Sequence, residues 1–230
     1  MGSDMGKVTI LDTTTKYPLT LMGERAGICW GSDITDQNKN MNRGKECLRS
    51  GHGRVAEFVN VEMVLDGYSA RVIREWYTHI GGMPTRLQES TRYLDYKEFQ
   101  YVVPVSVTQN EEAWTAYEQA MYDIRKAMIA MENNGVPKED MAMLLPLGME
   151  TRIVDKRNLR NLIDMSHQRL CSRAYWEYRQ LFMDVYRALG SISDEWSYIV
   201  TMYFKRKCVY LGYCPEKKSC GYYDTMRKGL

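Results

Sequence analysis

The stretch Phe58-Val59-Asn60-Val61-Glu62-Met63-Val64-Leu65 decides how the chain is read. Val59, Val61, Met63 and Leu65 fall on one side of an extended chain and Asn60 and Glu62 on the other, the period of a half-buried strand. Asp66-Gly67-Tyr68-Ser69 reads as a turn ending in a serine that caps a helix from Ala70 to about His79, with Ile73, Trp76 and Tyr77 on one face and Gly81-Gly82 breaking it. Upstream, Val8-Thr9-Ile10-Leu11 is a short β-branched strand entering a threonine-rich loop. Pro18 to Trp30 predicts a helix, and Met41 to Arg49 a second that stops at Ser50-Gly51-His52-Gly53.

Downstream the helical period takes over. Trp114, Tyr117, Met121, Ile124, Met128 and Met131 step by three and four residues, which predicts one buried stripe ended by Asn133-Asn134-Gly135. Methionine at that spacing reads as adaptable core filler. A further long helix is predicted from Asn158 to Leu189, its stripe running through Leu162, Met165, Leu170, Ala174, Tyr178, Leu181, Val185 and Leu189. Strands mixed with long helices, without regular β-α alternation, give an α+β (mixed α/β) class. No repeat, low-complexity tract or linker divides the chain, so residues 5–230 are read as a single domain, with 1–4, ahead of a second methionine, as the scar of an engineered tag.

The 230 residues are 44% hydrophobic and 26% charged, which excludes a disordered or collagen-like chain. Thirty-one basic against 29 acidic side chains leave a formal charge of +2, too balanced for a non-specific nucleic-acid binder. No run is long and apolar enough to span a bilayer, and no secretory leader is recognised, so the expected compartment is the cytoplasm, with neither membrane nor nucleic acid as partner. The six cysteines form no C-x-x-C pair and are expected to be reduced thiols. Cys208, Cys214 and Cys220, with five residues between each, could hold a metal together with Cys171. That spacing matches no ligand motif, and no metal is expected. G-x-S-x-G, P-loop and G-x-G-x-x-G motifs are missing, so serine hydrolases, P-loop NTPases and dinucleotide dehydrogenases have no motif support.

Two regions can bind anions. Gly81 to Tyr93 combines glycines, Ser90-Thr91 and the guanidiniums of Arg86 and Arg92, the donor set of a nucleotide-phosphate cradle or, alternatively, a solvated loop with a surface Arg-Glu pair. On the long helix Arg160 and Asp164 are four apart, as are Arg169 and Arg173; each pair is either a salt-bridged surface or, for Arg169 at the edge of the stripe, a cation facing a ring or a phosphate. The histidines are His52, His79 and His167, and none has metal-ligand spacing.

Taken in order, Ser50-Gly51-His52, Glu89-Ser90-Thr91-Arg92-Tyr93, Leu144-Leu145-Pro146-Leu147, Asn158-Leu159-Arg160-Asn161-Leu162 and Arg169 through Trp176-Glu177 resemble the flavin-dependent thymidylate synthases. The resemblance extends from about Val8 to Cys214-Pro215-Glu216-Lys217-Lys218-Ser219-Cys220-Gly221. It implies an α/β fold, a homotetramer with flavins at its subunit interfaces, and conversion of dUMP to dTMP with FAD, NADPH and methylenetetrahydrofolate. It also implies Ser90, Arg92, Arg86 and Glu89 on the dUMP side. Arg169 is implied as the catalytic residue, lying against the pyrimidine and stabilising negative charge on its carbonyls. His52, His79, Gln88, Asn158, Arg160 and Asp164 are implied on the FAD side.

The chain departs from the family's Arg-His-Arg signature. With a gap the triplet is Thr78-His79-Ile80; without one it is Ile80-Gly81-Gly82. A further arginine is replaced by Ala142, and Arg86 and Arg152 are the expected substitutes. A flavoenzyme acting on C5 of another pyrimidine nucleotide, or a non-catalytic nucleotide-binding relative, are the alternatives.

Overall fold

The computed structural model describes residues 6–228; the tag scar expected at 1–4 lies outside them. Along the chain come β1 (Lys7–Ile10), α1 (Pro18–Cys29), α2 (Gln37–Arg49), a 3-10 turn (Gly53–Phe58), β2 (Asn60–Ser69), α3 (Ala70–Trp76) and β3 (Thr85–Gln88). There follow α4 (Val105–Thr108), α5 (Glu111–Asn133), α6 (Lys138–Met141), β4 (Glu150–Asn158), α7 (Leu159–Arg169), α8 (Trp176–Gly190), α9 (Asp194–Tyr203), α10 (Lys207–Leu211) and α11 (Tyr222–Lys228). The four strands pair in the order β1-β2-β4-β3, so β2 and β4, far apart in sequence, are the inner strands. This is the mixed α/β class that the patterning implies.

The described residues form two compact units. The first, essentially 65–77 with 87–153, is built around α5. Its core gathers Tyr96, Phe99, Met121, Met128, Met141 and Met149, with Tyr117, Ile124 and Met131 half-buried against them. The methionine stripe is therefore core at its centre only: Trp114 at its start is 37% exposed. Asn110 caps α5 by accepting from the Ala113 N–H at 3.0 Å, and Gly135, at φ 74°, turns the chain past its end.

The second unit, residues 8–64, 78–86 and 154–228, holds most of the described helices. Val59, Val61 and Met63 are fully buried, as the alternation requires, together with Leu159, Leu162, Met165, Tyr178, Leu181, Phe182 and Trp196. Burying side chains of this size contributes about 1.5 to 3 kcal/mol each, before the entropy of ordering them is set against it.

Four expectations need correction. β2 continues through Asp66-Gly67-Tyr68 to Ser69 where a turn was expected, and Ser69 then caps α3, its side chain accepting from the Val72 N–H at 3.2 Å. α3 ends at Trp76, one turn before His79. Thr85–Gln88, read as loop, is a strand. The single helix expected over 158–189 is instead the end of β4 followed by two helices, with Leu170 to Tyr175 between them. The break is held by Arg179, which donates to the Ser172 carbonyl at 2.8 Å and also to that of Ala174, satisfying acceptors that a continuous helix would have paired internally. Arg173 therefore lies beyond α7 and does not share a helix face with Arg169.

Candidate active site

In the second unit, Arg169 closes α7 with its guanidinium fixed on two sides. Its Nε–H donates to Nε2 of His79 at 2.9 Å, and its central carbon stands 4.4 Å from the centre of the Tyr178 ring. His79 meets the same ring edge-on, the centroids 6.0 Å apart at 70°. Because Nε2 accepts, the imidazole is neutral and carries its proton on Nδ1. Burial, with the positive charges of Arg169 and Arg157 behind it, pushes His79 down to about 4. A neutral histidine thus holds a cation without competing for the same anion. The planar fork is oriented in advance, which a carbonyl gaining negative charge can exploit without reorganisation.

The start of α7 is equally fixed. Asn158 is its cap, accepting from the Asn161 N–H at 2.9 Å. The loop 80–83 passes this cap so closely that a Cβ on Gly82 would fall 2.2 Å from the Asn158 amide, and Gly82 has φ 73°. A side chain there would strain the backbone and displace the Asn158 amide, so an arginine at position 82, as the ungapped family signature would demand, is disfavoured on both counts. The histidine beside Arg169 is His79, as in the gapped reading.

Beneath the cap, Arg157 makes a bidentate pair with Asp155 at 2.5 and 2.8 Å, both side chains fully buried, and donates to Asn161 at 2.6 Å. Removing one partner of such a pair costs about 3 to 5 kcal/mol, because the other is left charged and buried. The pair sits on the inward face of β4, where Thr151, Ile153, Asp155 and Arg157 alternate with exposed residues and no motif marks them.

Arg160 points outward on the next turn. It pairs with Glu57 at 2.6 Å, both half-exposed, and lies beside Gly53, whose Cβ would stand 3.5 Å from its Nε. His52 is exposed immediately before that turn, and Asp164 is exposed one turn along α7. A solvent-facing pair such as Arg160–Glu57 is worth under about 1 kcal/mol. A phosphate can therefore replace the carboxylate at little cost, and this donor set fits the diphosphate of a dinucleotide.

In the first unit, the Gln88 amide donates to Thr151 Oγ1 at 3.1 Å, and its oxygen accepts from the Tyr77 hydroxyl at 3.1 Å. Glu89 pairs with Arg152 at 3.6 Å, and Arg152 with Asp66 at 2.8 Å. Of the two expected substitute arginines, Arg152 is thus engaged by two carboxylates, while Arg86, half-buried on β3 and part of the second unit, also has interactions of its own. Ser90 Oγ accepts from the Arg92 N–H at 3.3 Å, and the Arg92 side chain, 65% exposed, pairs with exposed Glu139 at 2.9 Å. An incoming phosphate can displace so weak a pair. Gln88, Glu89 and the Ser90–Arg92 pair thus each have separate partners, while Asn158 and Arg160 stand at the start of α7, Asp164 midway along it and Arg169, with His79, at its end. Tyr178 and Asn161, which hold Arg169 and the cap, looked like ordinary stripe and helix positions in the sequence.

The family model described as thymidylate synthase complementing protein matches residues 9–192. The flavin-dependent thymidylate synthase of Nitratidesulfovibrio vulgaris is 30% identical over 186 residues, 76% of this chain and 74% of the relative. That of Pyrococcus furiosus is 26% identical over 224 residues, 93% and 91% of the two chains. Among solved structures, thymidylate synthase X from Helicobacter pylori with FAD and dUMP superposes with a TM-score of 0.68 at 18% identity, covering 88% of this chain and all of that one, a likeness of fold. With four-fifths of its length inside the family match, the chain belongs to the thymidylate synthase complementing proteins, the family of the flavin-dependent thymidylate synthases.

Proposed function

We propose that this protein methylates dUMP to dTMP with FAD as its bound redox cofactor. The observation that carries the reading is the Arg169 guanidinium, held between a neutral His79 and the Tyr178 ring. C5 of uracil is a poor nucleophile until electron density is pushed toward it. An arginine fixed against the pyrimidine stabilises negative charge on the carbonyls as that density builds. Ser90 and Arg92 take the nucleotide phosphate, with Glu89 and Arg86 beside them. His52, His79, Gln88, Asn158, Arg160 and Asp164 hold FAD. Reduced FAD supplies the hydride equivalents that make the transferred carbon a methyl group. The protein contributes position and charge; Ser90, whose Oγ accepts from the Arg92 N–H, acts as a phosphate ligand and not as a nucleophile.

In this reading methylenetetrahydrofolate donates the carbon and NADPH reduces the flavin. The working form is a homotetramer in the cytoplasm, where the thiols stay reduced. The name of the relative that is 30% identical, and the FAD and dUMP in the name of the superposed structure, support the cofactor and the nucleotide. Equilibrium dialysis tests the reading: FAD should bind the purified chain, and more tightly when dUMP is present. Equal FAD binding with and without dUMP would argue for a flavoprotein that uses another nucleotide, and no FAD binding at all would defeat the reading.

A further inference from the structure

Within the second unit a cavity of about 420 Å³, open to solvent, borders Arg169. That volume suits a small organic ligand. Its lining comes from two stretches, one around the end of α7 from His167 to Ala174, the other from Arg206 to Tyr223. The second stretch is anchored to the first at two points. The Tyr210 ring stacks on His167, centroids 4.5 Å apart at 25°, and Arg173 donates to the Lys218 carbonyl at 3.0 Å while pairing with Glu216 at 3.0 Å.

Charge is concentrated in the same place. Between residues 205 and 228 the sequence has seven basic side chains against two acidic ones, a local charge of +5 in a chain whose total is +2. The remainder is net acidic, so the cations are gathered here. Arg173 is engaged by Glu216, Arg206 lies over the Tyr222 ring at 3.5 Å, and Arg169 is assigned to the pyrimidine. Lys207, Lys217 and Lys218 differ from these: all three are exposed, and none enters an ion pair among the described residues. Lys207 lines the cavity, and Lys217 and Lys218 fall between Glu216 and Ser219, which line it too. Unpaired like charges on one short stretch repel one another, and an anion carrying several charges relieves that repulsion.

We propose that Lys207, Lys217 and Lys218 form a track for the oligo-γ-glutamate tail of a folate whose carbon-carrying end enters this cavity. The inference rests on the proposed function, in which a folate donates the carbon to a pyrimidine lying against Arg169. The donor must bring its carbon to that pyrimidine, and the cavity is the space that Arg169 shares with the basic stretch. Each γ-glutamate added to the tail adds one free carboxylate, so a longer tail offers the lysines more charge-assisted contacts. Tyr222 and Tyr223 put aromatic surface in the lining for the aminobenzoyl group that joins pterin to tail. An extended polyanion such as a nucleic acid has no use for a cavity leading to Arg169.

Ligand binding by the full chain loaded with FAD and dUMP tests this without turnover. The probe is tetrahydrofolate, which has no carbon to transfer, with a tail of one or of five γ-linked glutamates. At low ionic strength the longer tail should bind about tenfold more tightly, as a few exposed ion pairs allow, and the advantage should shrink as salt is added. In Lys207→Gln/Lys217→Gln/Lys218→Gln the advantage should fall below about twofold with FAD binding intact; in Lys207→Arg/Lys217→Arg/Lys218→Arg it should persist. Equal affinity for both tails in the wild type would overturn the proposal and leave the proposed function standing. An undiminished advantage in the glutamine variant would also overturn it, because the tail would then lie elsewhere. If neither form binds, the folate donor of the proposed function fails, and the tail site with it.

Discussion

Arg169 shows what a single residue owes to its surroundings. From sequence it was one of three arginines singled out on a long helix; in the fold it is bonded to His79 and laid on Tyr178. Arg169→Ala should lower kcat by about 10² to 10³ while dUMP still binds, the cost of losing one oriented charge-stabilising donor. Normal turnover in that variant would remove Arg169 from the mechanism. His79 gives a second test. Its folded value of about 4 lies below the ordinary 6.5, so between those values the unfolded chain holds more protons than the folded one. Its contribution to stability is complete above pH 6.5 and is lost as the pH falls toward 4. Urea midpoints should drop between pH 7 and pH 5 in the wild type and drop less in His79→Gln, whose amide oxygen can still accept from Arg169. A parallel fall in both would show that His79 is not a source of the acid sensitivity.

At the scale of elements, the loop before β3 is shaped by the cap of α7. Gly82 is required twice over, by its φ of 73° and by the Asn158 amide 2.2 Å from where a Cβ would be. Gly135, at φ 74°, has nothing within 4 Å. Gly135→Ala should therefore cost about 1 kcal/mol of backbone strain, and Gly82→Ala about 2 to 4 kcal/mol, strain and clash together, read from chemical denaturation. Equal costs would mean that the loop moves away from Asn158 freely. The same region shows why some elements were legible in the sequence and others were not. β2 was readable because its inward positions are all apolar. β4 was not, because half of its buried face is Asp155 and Arg157, whose pairing is a tertiary fact. The break between α7 and α8 was hidden because Leu170 and Ala174 continue the apolar stripe through it, while its cause is Arg179, a residue from the next helix.

For the whole molecule, the α+β class followed from patterning, and the family from five short pieces in the right order. The site residues came from the resemblance; composition alone gave only a phosphate-binding loop and a helix-borne arginine. What sequence could not supply is the support around them: the neutral tautomer of His79, the Tyr178 face, the buried Asp155–Arg157 pair, and the cavity that Arg169 shares with the C-terminal stretch. The central claim is a chemical conversion, and the direct measurement is the product. Purified full-length protein incubated with dUMP, methylenetetrahydrofolate, FAD and NADPH should form dTMP, identified by mass spectrometry, and should form none when FAD is withheld from flavin-free protein. Failure to form dTMP by a preparation that binds both FAD and dUMP would contradict the account.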